Sequence, residues 1–231
     1  MWNGPIPDGM PEESERNVKY VFIHGLGQGP ESWNAVLEGF DGEGLCPDLF
    51  GLAGAERSSY GGLYRAFAAW CRNQGAVCLC GLSLGGVLAL HYALERPEQV
   101  RALALIGTQF AMPTGMLRLQ NAVFRILPEG AFREMGLGKR EAIALARSME
   151  TLDFRKDLGR ISCPALVVCG TRDRANRRAA QELARLLPHG ELAWIEGAGH
   201  TINTDAPERL QTLLLRFFHD FPPSGRRRDP L

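Results

Sequence analysis

The stretch Cys80-Gly81-Leu82-Ser83-Leu84-Gly85-Gly86 decides how this chain folds. It follows an apolar run, Ala76–Cys80, with the composition of a β-strand, and it precedes a run, Val87–Glu95, with the composition of a helix. The chain must therefore reverse within a few residues, and Ser83 occupies the turn. The glycines on either side of the serine lack a Cβ, so strand and helix can approach each other closely. A βα turn with an N-capping serine would have the same sequence, so a function for Ser83 needs support from other strand ends.

The rest of the chain alternates between strand-like and helix-like segments, which is typical of a mostly parallel sheet with helices on both faces. We predict an α/β fold with six strands, near residues 19–24, 45–49, 76–80, 100–106, 164–169 and 191–196. Helices are predicted near residues 31–40, 63–72, 84–95 and 176–187, with a loop over residues 51–62. A last helix is predicted to be capped by Asp205 and to end at Phe221. Ligands of such sheets bind beyond the carboxyl ends of the strands, where functional side chains are therefore expected.

Residues 109–160 break this alternation, because they carry no strand signal and are too long for a structureless loop. Helical patterns over Pro113–Leu127 and Lys139–Leu152 predict a small helical cap above the edge of the sheet. The domain is predicted to span residues 18–221, between a flexible leader over residues 1–17 and a disordered tail over residues 222–231.

The composition argues against several classes of protein. The chain has 231 residues, is 45% hydrophobic and carries a formal net charge of +0, which is ordinary for a globular protein and argues against nucleic-acid binding. No apolar run approaches the ~18 residues of a membrane span, and Met1–Asn17 lacks the apolar core of a signal peptide. The 6 cysteines form no CxxC pair, so we expect buried free thiols in a reducing cytoplasm and no metal site.

A serine hydroxyl is a weak nucleophile at neutral pH and needs a base within hydrogen-bond reach. His200 is the best candidate among the 5 histidines, because it follows the last predicted strand in the glycine-rich loop Glu196–His200. His24 precedes the loop after the first strand and is predicted to orient it. His91 is predicted to pack within the helix that follows the serine.

The base in turn needs an acid that fixes its tautomer and stabilises the imidazolium. Asp173 follows strand 164–169 directly, in Gly170-Thr171-Arg172-Asp173, so it is expected at the same sheet edge as Ser83 and His200. Its alternative role is that of an N-cap for helix 176–187.

These features together resemble the α/β-hydrolase family. Gly81–Gly85 has the form G-x-S-x-G of the family's nucleophile elbow, and the order Ser83, Asp173, His200 is the order of the family's catalytic triad. The resemblance covers Lys19–Phe221. It implies a small single-domain serine hydrolase with a helical cap, without the family's N-terminal hairpin, and with no cofactor or metal.

The loop after the first strand adds a further match. His24-Gly25-Leu26-Gly27 is similar to the family's HGxG segment, and by that match the backbone N–H groups of Leu26 and Leu84 form the oxyanion hole. One departure lies after the second strand, where Asp48–Leu52 replaces the family's frequent proline-glycine-histidine-glycine turn. Substrate preference therefore cannot be carried over from relatives.

The resemblance implies cleavage of a carboxylic ester or thioester through an acyl-enzyme on Ser83. The leucine, phenylalanine and methionine side chains of the cap favour a small-molecule substrate with an apolar acyl group, although packing in the cap's own core explains most of them better. Two alternatives remain. A C–C hydrolase or lyase of the menaquinone-pathway type would use the same triad and bind a carboxylate-rich substrate through arginines, although a solvent-facing helix surface explains their spacing better: Arg118, Arg125, Arg133, Arg140 and Arg147. A non-enzymatic ligand receptor is the third hypothesis.

Overall fold

A computed structural model describes residues 18–40, 44–112, 129 and 137–219. The predicted leader, the predicted tail and the predicted helix Pro113–Leu127 lie outside these residues, and so does any N-terminal hairpin formed by residues 1–17. The fold-class prediction is confirmed. The described residues form one parallel six-stranded sheet in the order β2-β1-β3-β4-β5-β6. Its strands are β1 (Lys19–Ile23), β2 (Gly44–Leu45), β3 (Val77–Leu82), β4 (Val100–Ile106), β5 (Ala165–Gly170) and β6 (Gly190–Ile195).

The strand order places the first loop beside the turn at Ser83. The chain runs outward from β1 to β2 and then returns to pair β3 with the other side of β1, with Ile23 opposite Gly81. The segments that leave β1 and β3 therefore emerge as neighbours at the carboxyl edge of the sheet. Crevices at such a reversal of strand order are the usual ligand sites of open α/β sheets.

Helices cover both faces of the sheet. They are α1 (Asn34–Leu37), which lies between 3-10 turns, α2 (Leu49–Ala53), α3 (Tyr60–Arg72), α4 (Leu84–Glu95), α5 (Lys139–Met149), α6 (Arg177–Leu186), α7 (Ile202–Asp205) and α8 (Pro207–Phe218). One face carries α2 to α6 and the other carries α1, α7 and α8, each over its own hydrophobic cluster. Alternate residues of β3 enter opposite clusters, as the two-residue period of a strand requires. None of the helices among the described residues is long and apolar enough to cross a membrane.

The second strand and the loop after it differ from the prediction. The strand is only Gly44–Leu45, and Leu49 begins helix α2 where strand and loop were expected. Asp48 explains the difference, because its carboxylate accepts hydrogen bonds from the N–H groups of Phe50 at 3.1 Å and Gly51 at 3.0 Å. A carboxylate that satisfies the first N–H groups of a helix favours helical over extended backbone.

The predicted cap on the last helix is also wrong. Asp205 ends the short helix α7 rather than capping α8, which begins at Pro207. Its carboxylate instead accepts hydrogen bonds from the Gly199 N–H at 2.8 Å and the Thr201 hydroxyl at 3.2 Å. Asp205 therefore stabilises the loop on both sides of His200.

The segment between β4 and β5 returns close to its starting point, because Ala111 and Asp153 form an antiparallel bridge. Helix α5 of this segment packs against α3. The guanidinium of Arg57 binds both carboxylate oxygens of Glu141 at 3.0 and 3.2 Å, and the Ser148 hydroxyl accepts from the Tyr60 N–H at 2.8 Å. The helical prediction for residues 139–152 is confirmed within a few residues of its end.

Candidate active site

Ser83 sits in a strained turn that its neighbours hold in place. Its φ of 53° and ψ of −113° make it the sole non-glycine residue with positive φ among those the structure describes. Such a conformation costs of order 1–3 kcal/mol and persists only where the surroundings enforce it. A Cβ at Gly81 would collide with the main chain of Gly85, and a Cβ at Gly85 would collide with the main chain of Ile23. Both glycines are therefore required for the turn.

Hydrogen bonds attach this turn to the end of β4. The Ser83 N–H donates to the Ile106 carbonyl at 2.8 Å, and the Ser83 carbonyl accepts from the Val87 N–H at 3.0 Å. The serine thus leaves the sheet beside Gly107, the residue that follows β4. The side chain is half-buried at the N-terminus of α4, where the first N–H groups of a helix have no intrahelical acceptor.

His200 and Asp173 meet at the same strand end. His200 Nδ1 lies 2.7 Å from Asp173 Oδ2. A Cβ added to Gly107 would lie 2.9 Å from His200 Cε1 and 3.5 Å from Asp173 Oδ2, so the pair rests directly over that glycine. Because Gly107 follows the residue that binds the Ser83 N–H, the three predicted residues all lie at the carboxyl end of β4.

Asp173 is buried and heavily hydrogen-bonded. Besides His200, its carboxylate accepts from Asn176 Nδ2 at 3.0 Å on Oδ1 and 2.8 Å on Oδ2, and from the Asn176 main-chain N–H at 3.3 Å. Burial raises the pKa of Asp173, but the hydrogen bonds from His200 and Asn176 outweigh it, so the pKa lies below its ordinary value. The carboxylate is therefore ionised at neutral pH. It places the imidazole proton on Nδ1 and leaves the Nε2 lone pair free to accept a proton.

The alternative role for Asp173 is not the one it adopts. Helix α6 begins at Arg177, and its N-cap is Asn176. Sequence reasoning assigned Asn176 only as the start of a helix and missed its contact with the acid. The one available signal was its spacing, three residues after Asp173 at a helix start, where an amide can reach back to a carboxylate.

The loop after β1 lies against the nucleophile turn. A Cβ added to Gly25 would lie 3.6 Å from Ser83 Cβ and 3.4 Å from the Leu82 carbonyl oxygen. Leu26 therefore follows directly at the edge of the site, while Leu84 begins the helix on its other side. The role of their N–H groups as oxyanion donors stays a prediction.

His24 holds this loop, as predicted. Its ring is buried, and Nδ1 donates to the Gly25 carbonyl at 3.0 Å while Nε2 accepts from the Leu49 N–H at 3.2 Å. The second bond requires the neutral ring, because Nε2 must keep its lone pair to accept it. Burial lowers the pKa of His24 and so favours that form, although hydrogen bonding and nearby carboxylates act in the opposite direction.

Two side-chain amides, those of Gln28 and Asn203, hold the same loop by hydrogen bonds. Gln28 Nε2 donates to Asn203 Oδ1 at 3.1 Å, and Asn203 Nδ2 donates back to Gln28 Oε1 at 3.3 Å and to the Ser32 carbonyl at 3.1 Å. Gln28 Oε1 also accepts from the Gly25 N–H at 3.4 Å. Asn203 is fully buried in α7, far from Gln28 in the chain, and no sequence pattern signals the pairing.

His91 lies outside this cluster, as expected for a packed helix histidine. Its ring stacks on Tyr64 with 3.7 Å between centroids, and Nδ1 lies 3.1 Å from the Tyr60 hydroxyl. Burial lowers the pKa of His91, with Glu95 acting in the opposite direction. Arg140 and Arg147 on α5 are both exposed, in agreement with a solvent-facing helix surface.

A cavity of about 500 Å³ lies near the site, but Ser83, Asp173 and His200 do not line it. Residues 109–112, residues 150–153 with Arg155, and helix α6 line it. Gln109 connects the cavity to the site, because its Nε2 donates to Asn176 Oδ1 at 2.7 Å. Carboxylates and guanidinium groups contribute much of the lining.

Comparison with known proteins identifies the family. Residues 20–211 match the model of the alpha/beta hydrolase family. The chain belongs to that family. It is an enzyme of the α/β-hydrolase type, as the fold and the strand-end cluster indicate.

Three relatives illustrate the breadth of this family. Polyketide synthase ThaQ of Burkholderia thailandensis is 31% identical over 192 residues, which cover 68% of this chain and only 9% of the synthase. The pimeloyl-[acyl-carrier protein] methyl ester esterase of Aromatoleum aromaticum is 28% identical over 247 residues, which cover 84% of this chain and 95% of the esterase. The crystal structure of MGS-MChE2, an α/β hydrolase from the metagenome of lagoon sediments at Mar Chica, Morocco, superposes with a TM-score of 0.70 at 26% identity, covering 88% of this chain and 91% of that one.

Proposed function

We propose that this α/β hydrolase cleaves a carboxylic ester or thioester of a small molecule through an acyl-enzyme on Ser83. The observation that carries the proposal is the 2.7 Å contact between His200 Nδ1 and Asp173 Oδ2 at the strand end to which the Ser83 main chain is attached. A strained serine, an oriented imidazole and an ionised carboxylate at one sheet edge are the parts that nucleophilic acyl transfer needs.

The reaction proceeds in two halves. His200 Nε2 takes the hydroxyl proton as Ser83 Oγ bonds to the substrate carbonyl carbon, and the carbonyl oxygen becomes an oxyanion. Collapse of this intermediate breaks the bond to the leaving alcohol or thiol, which departs with the proton from His200. Water then attacks the acyl-enzyme with the same base, and the acid product leaves. Asp173 remains ionised and stabilises the imidazolium in both halves.

The N–H groups of Leu26 and Leu84 are the donors to the oxyanion in this mechanism. They come from opposite sides of Ser83, one from the loop braced by His24 and one from the N-terminus of α4. Because both are main-chain groups, their positions matter more than their side chains. Loss of one such donor typically costs ~10²–10³ in rate.

Ester chemistry is supported by the similarity of this chain to the methyl ester esterase of Aromatoleum aromaticum, which aligns with it over most of its length. The apolar acyl group and the cytoplasmic location are extensions of the same proposal. The location is supported by the cysteines, all of which are free thiols in the structure, since unpaired thiols persist in a reducing compartment.

The test is hydrolysis of p-nitrophenyl esters from acetate to decanoate, and of acyl thioesters of the same lengths, by wild type and Ser83→Ala. Removing the serine of such a triad can cost on the order of 10⁶ in turnover. Ser162→Ala is the matched control, because Ser162 is exposed and precedes β5 at the opposite edge of the sheet. Wild-type activity that Ser83→Ala abolishes and Ser162→Ala retains supports the proposal, and the preferred length measures the acyl site.

An enzyme that hydrolyses none of these substrates, or a Ser83→Ala variant that keeps its activity, contradicts the proposal. A C–C hydrolase or lyase reaction with the same residues would then be tested on carboxylate-bearing substrates.

A further inference from the structure

The acid of the proposed triad is held by a residue that has no place in the two-step mechanism above. Asn176 Nδ2 lies within 3.0 Å of both carboxylate oxygens of Asp173, and the Asn176 main-chain N–H adds a third contact at 3.3 Å. Asn176 is 7% exposed, so these bonds form in a largely water-free environment. Hydrogen bonds from a buried amide to an ionised carboxylate are stronger than those between neutral groups.

Capping of helix α6 does not account for this side chain. Asn176 occupies the N-cap position, where an asparagine usually accepts a hydrogen bond from an N–H group of the first turn. Here the side chain makes no capping hydrogen bond. Its amide nitrogen faces backward to the carboxylate, and its oxygen is directed away from the helix toward Gln109.

Gln109 fixes the direction in which this amide points. Its Nε2 donates to Asn176 Oδ1 at 2.7 Å. A rotation of the Asn176 amide by half a turn would place the two NH₂ groups against each other and Oδ1 against the carboxylate. Both contacts would be repulsive, so Gln109 and Asp173 together select a single orientation.

The consequence for Asp173 is a fixed carboxylate. Oδ1 accepts from the main chain and side chain of Asn176, whereas Oδ2 accepts from Asn176 and from His200 Nδ1. The carboxyl group cannot turn about its axis without breaking several of these bonds. Oδ2 is therefore kept in line with the imidazole.

We propose that Asn176, oriented by Gln109, is a positioning residue that locks the Asp173 carboxylate toward His200. The inference rests on the proposed function, because it assigns a role inside the proposed triad. Asn176 touches neither substrate nor nucleophile in this scheme. Its Nδ2 also lies 3.1 Å from His200 Nδ1, so it contacts the acid and the base where the two meet.

Other titratable groups around the pair are few among the described residues. Cys169 on β5 has its Sγ 3.9 Å from the Asp173 carbonyl oxygen, and burial raises the pKa of this thiol to about 11, so it stays neutral. Asp205 on α7 binds the Gly199 N–H next to His200. The loop after β4 contributes the uncharged Gly107 and Gln109. A change in the titration of Asp173 can therefore be assigned to its own hydrogen bonds.

The experiment combines kinetics with a titration of the acid in the full-length enzyme. Asn176→Ser is the first variant, because serine is favoured at an N-cap and keeps the helix start while it removes the amide. Asn176→Ala and Gln109→Ala follow, singly and together. Gln99→Ala is the matched control, since Gln99 precedes β4 and bonds to Tyr92 at the opposite end of that strand.

We expect Asn176→Ser to lower kcat by about tenfold or more with KM within about twofold, because a misaligned acid weakens the base in the transition state rather than substrate binding. The Asp173 carboxyl signal, followed by ¹³C NMR, should titrate at higher pH once donors to the charged form are lost. Gln109→Ala should have a smaller effect of the same kind and add nothing to Asn176→Ala. Gln99→Ala should match wild type.

Unchanged kcat together with an unchanged Asp173 titration in a folded Asn176→Ser enzyme would overturn the inference. So would fully multiplicative effects of Gln109→Ala and Asn176→Ala. If wild type hydrolyses no ester or thioester, the proposed function fails, yet the Asp173 titration still decides whether Asn176 and Gln109 hold the carboxylate. The two failures are therefore distinguishable.

Discussion

The two sides of the site use the same side-chain chemistry for different tasks. On the acid side, the amide pair Gln109–Asn176 binds the carboxylate of Asp173. On the side of the proposed oxyanion donors, called the oxyanion side below, the amide pair Gln28–Asn203 binds the main chain of the loop after β1. An amide can donate and accept at once, so it can brace either a charge or a backbone. The first pair controls where a charge points, and the second controls where backbone donors lie.

This difference determines what each side should be sensitive to. Loss of a contact on the acid side changes the electrostatics of the proposed base, so its effect should depend on pH. Loss of a contact on the oxyanion side moves neutral N–H groups, so it should lower the rate equally across the pH range. The following predictions test that contrast, from the largest effect to the smallest.

The largest effect is expected from Asp173→Asn. An asparagine retains the size of the side chain but cannot hold the imidazole in the tautomer that leaves Nε2 free. We expect kcat to fall by on the order of 10⁴ with little change in KM, as in triads where this substitution leaves the geometry intact. Ester hydrolysis over a range of pH measures it. A loss below tenfold would mean that Asp173 is not the acid.

A smaller effect is expected from Gln28→Ala on the oxyanion side. The Gly25 N–H loses an acceptor and Asn203 loses one of its two partners, so the loop becomes free to shift without losing a donor outright. We expect kcat to fall by about tenfold, less than the ~10²–10³ of a missing oxyanion donor. The shape of the pH–rate profile should be that of wild type.

A double variant with one substitution on each side tests whether the acid side and the oxyanion side act independently. Gln28→Ala and Asn176→Ser share no hydrogen-bond partner, so their effects on kcat should multiply in the double variant. A double variant no slower than the poorer single variant would show that the two sides are coupled, and the division into acid and oxyanion sides would be wrong.

The sequence predicts the three candidate catalytic residues, but it does not predict the amide side chains that hold them and the loop after β1 in place. Ser83, Asp173 and His200 could be placed because each follows its own strand, and parallel strands bring their carboxyl ends to one edge. The six strands themselves follow from short apolar runs between glycines and prolines. The described structure agrees with their number and order along the chain.

These amide side chains could not be predicted, for a physical reason. Asn203 meets Gln28 through two side-chain hydrogen bonds, and Asn176 meets Gln109 through one. Such bonds between distant segments leave no periodicity in the sequence. The start of α2 was missed for a local reason. Its capping by Asp48 competes with a strand-like composition, and the carboxylate decides the outcome.

The smallest effect concerns His24 and the stability of the fold rather than the rate of catalysis. We expect the free energy of unfolding to depend on pH in the moderately acidic range because of this histidine. Burial lowers the pKa of His24 in the folded chain, whereas an unfolded histidine titrates near ~6.5. The unfolded chain therefore binds the proton first, and the free energy of unfolding should decrease as the pH falls below about 6.5. Protonation of Nε2 in the folded state would break the hydrogen bond that Nε2 accepts from the Leu49 N–H.

Asp173 responds in the same direction but in a lower pH range, because its lowered pKa contributes stability above about pH 4 that is lost only as the pH falls through the folded value. Denaturant unfolding of wild type and His24→Gln between pH 7.5 and 5.5 isolates the histidine. Wild type should lose up to about 1.4 kcal/mol per pH unit more than the variant, the limit for one proton. His91→Gln is the comparison, since burial also lowers the pKa of that histidine, which lies in helix α4 and not in the loop after β1. Equal pH dependence in wild type and His24→Gln would mean that the ring is not held neutral by the loop.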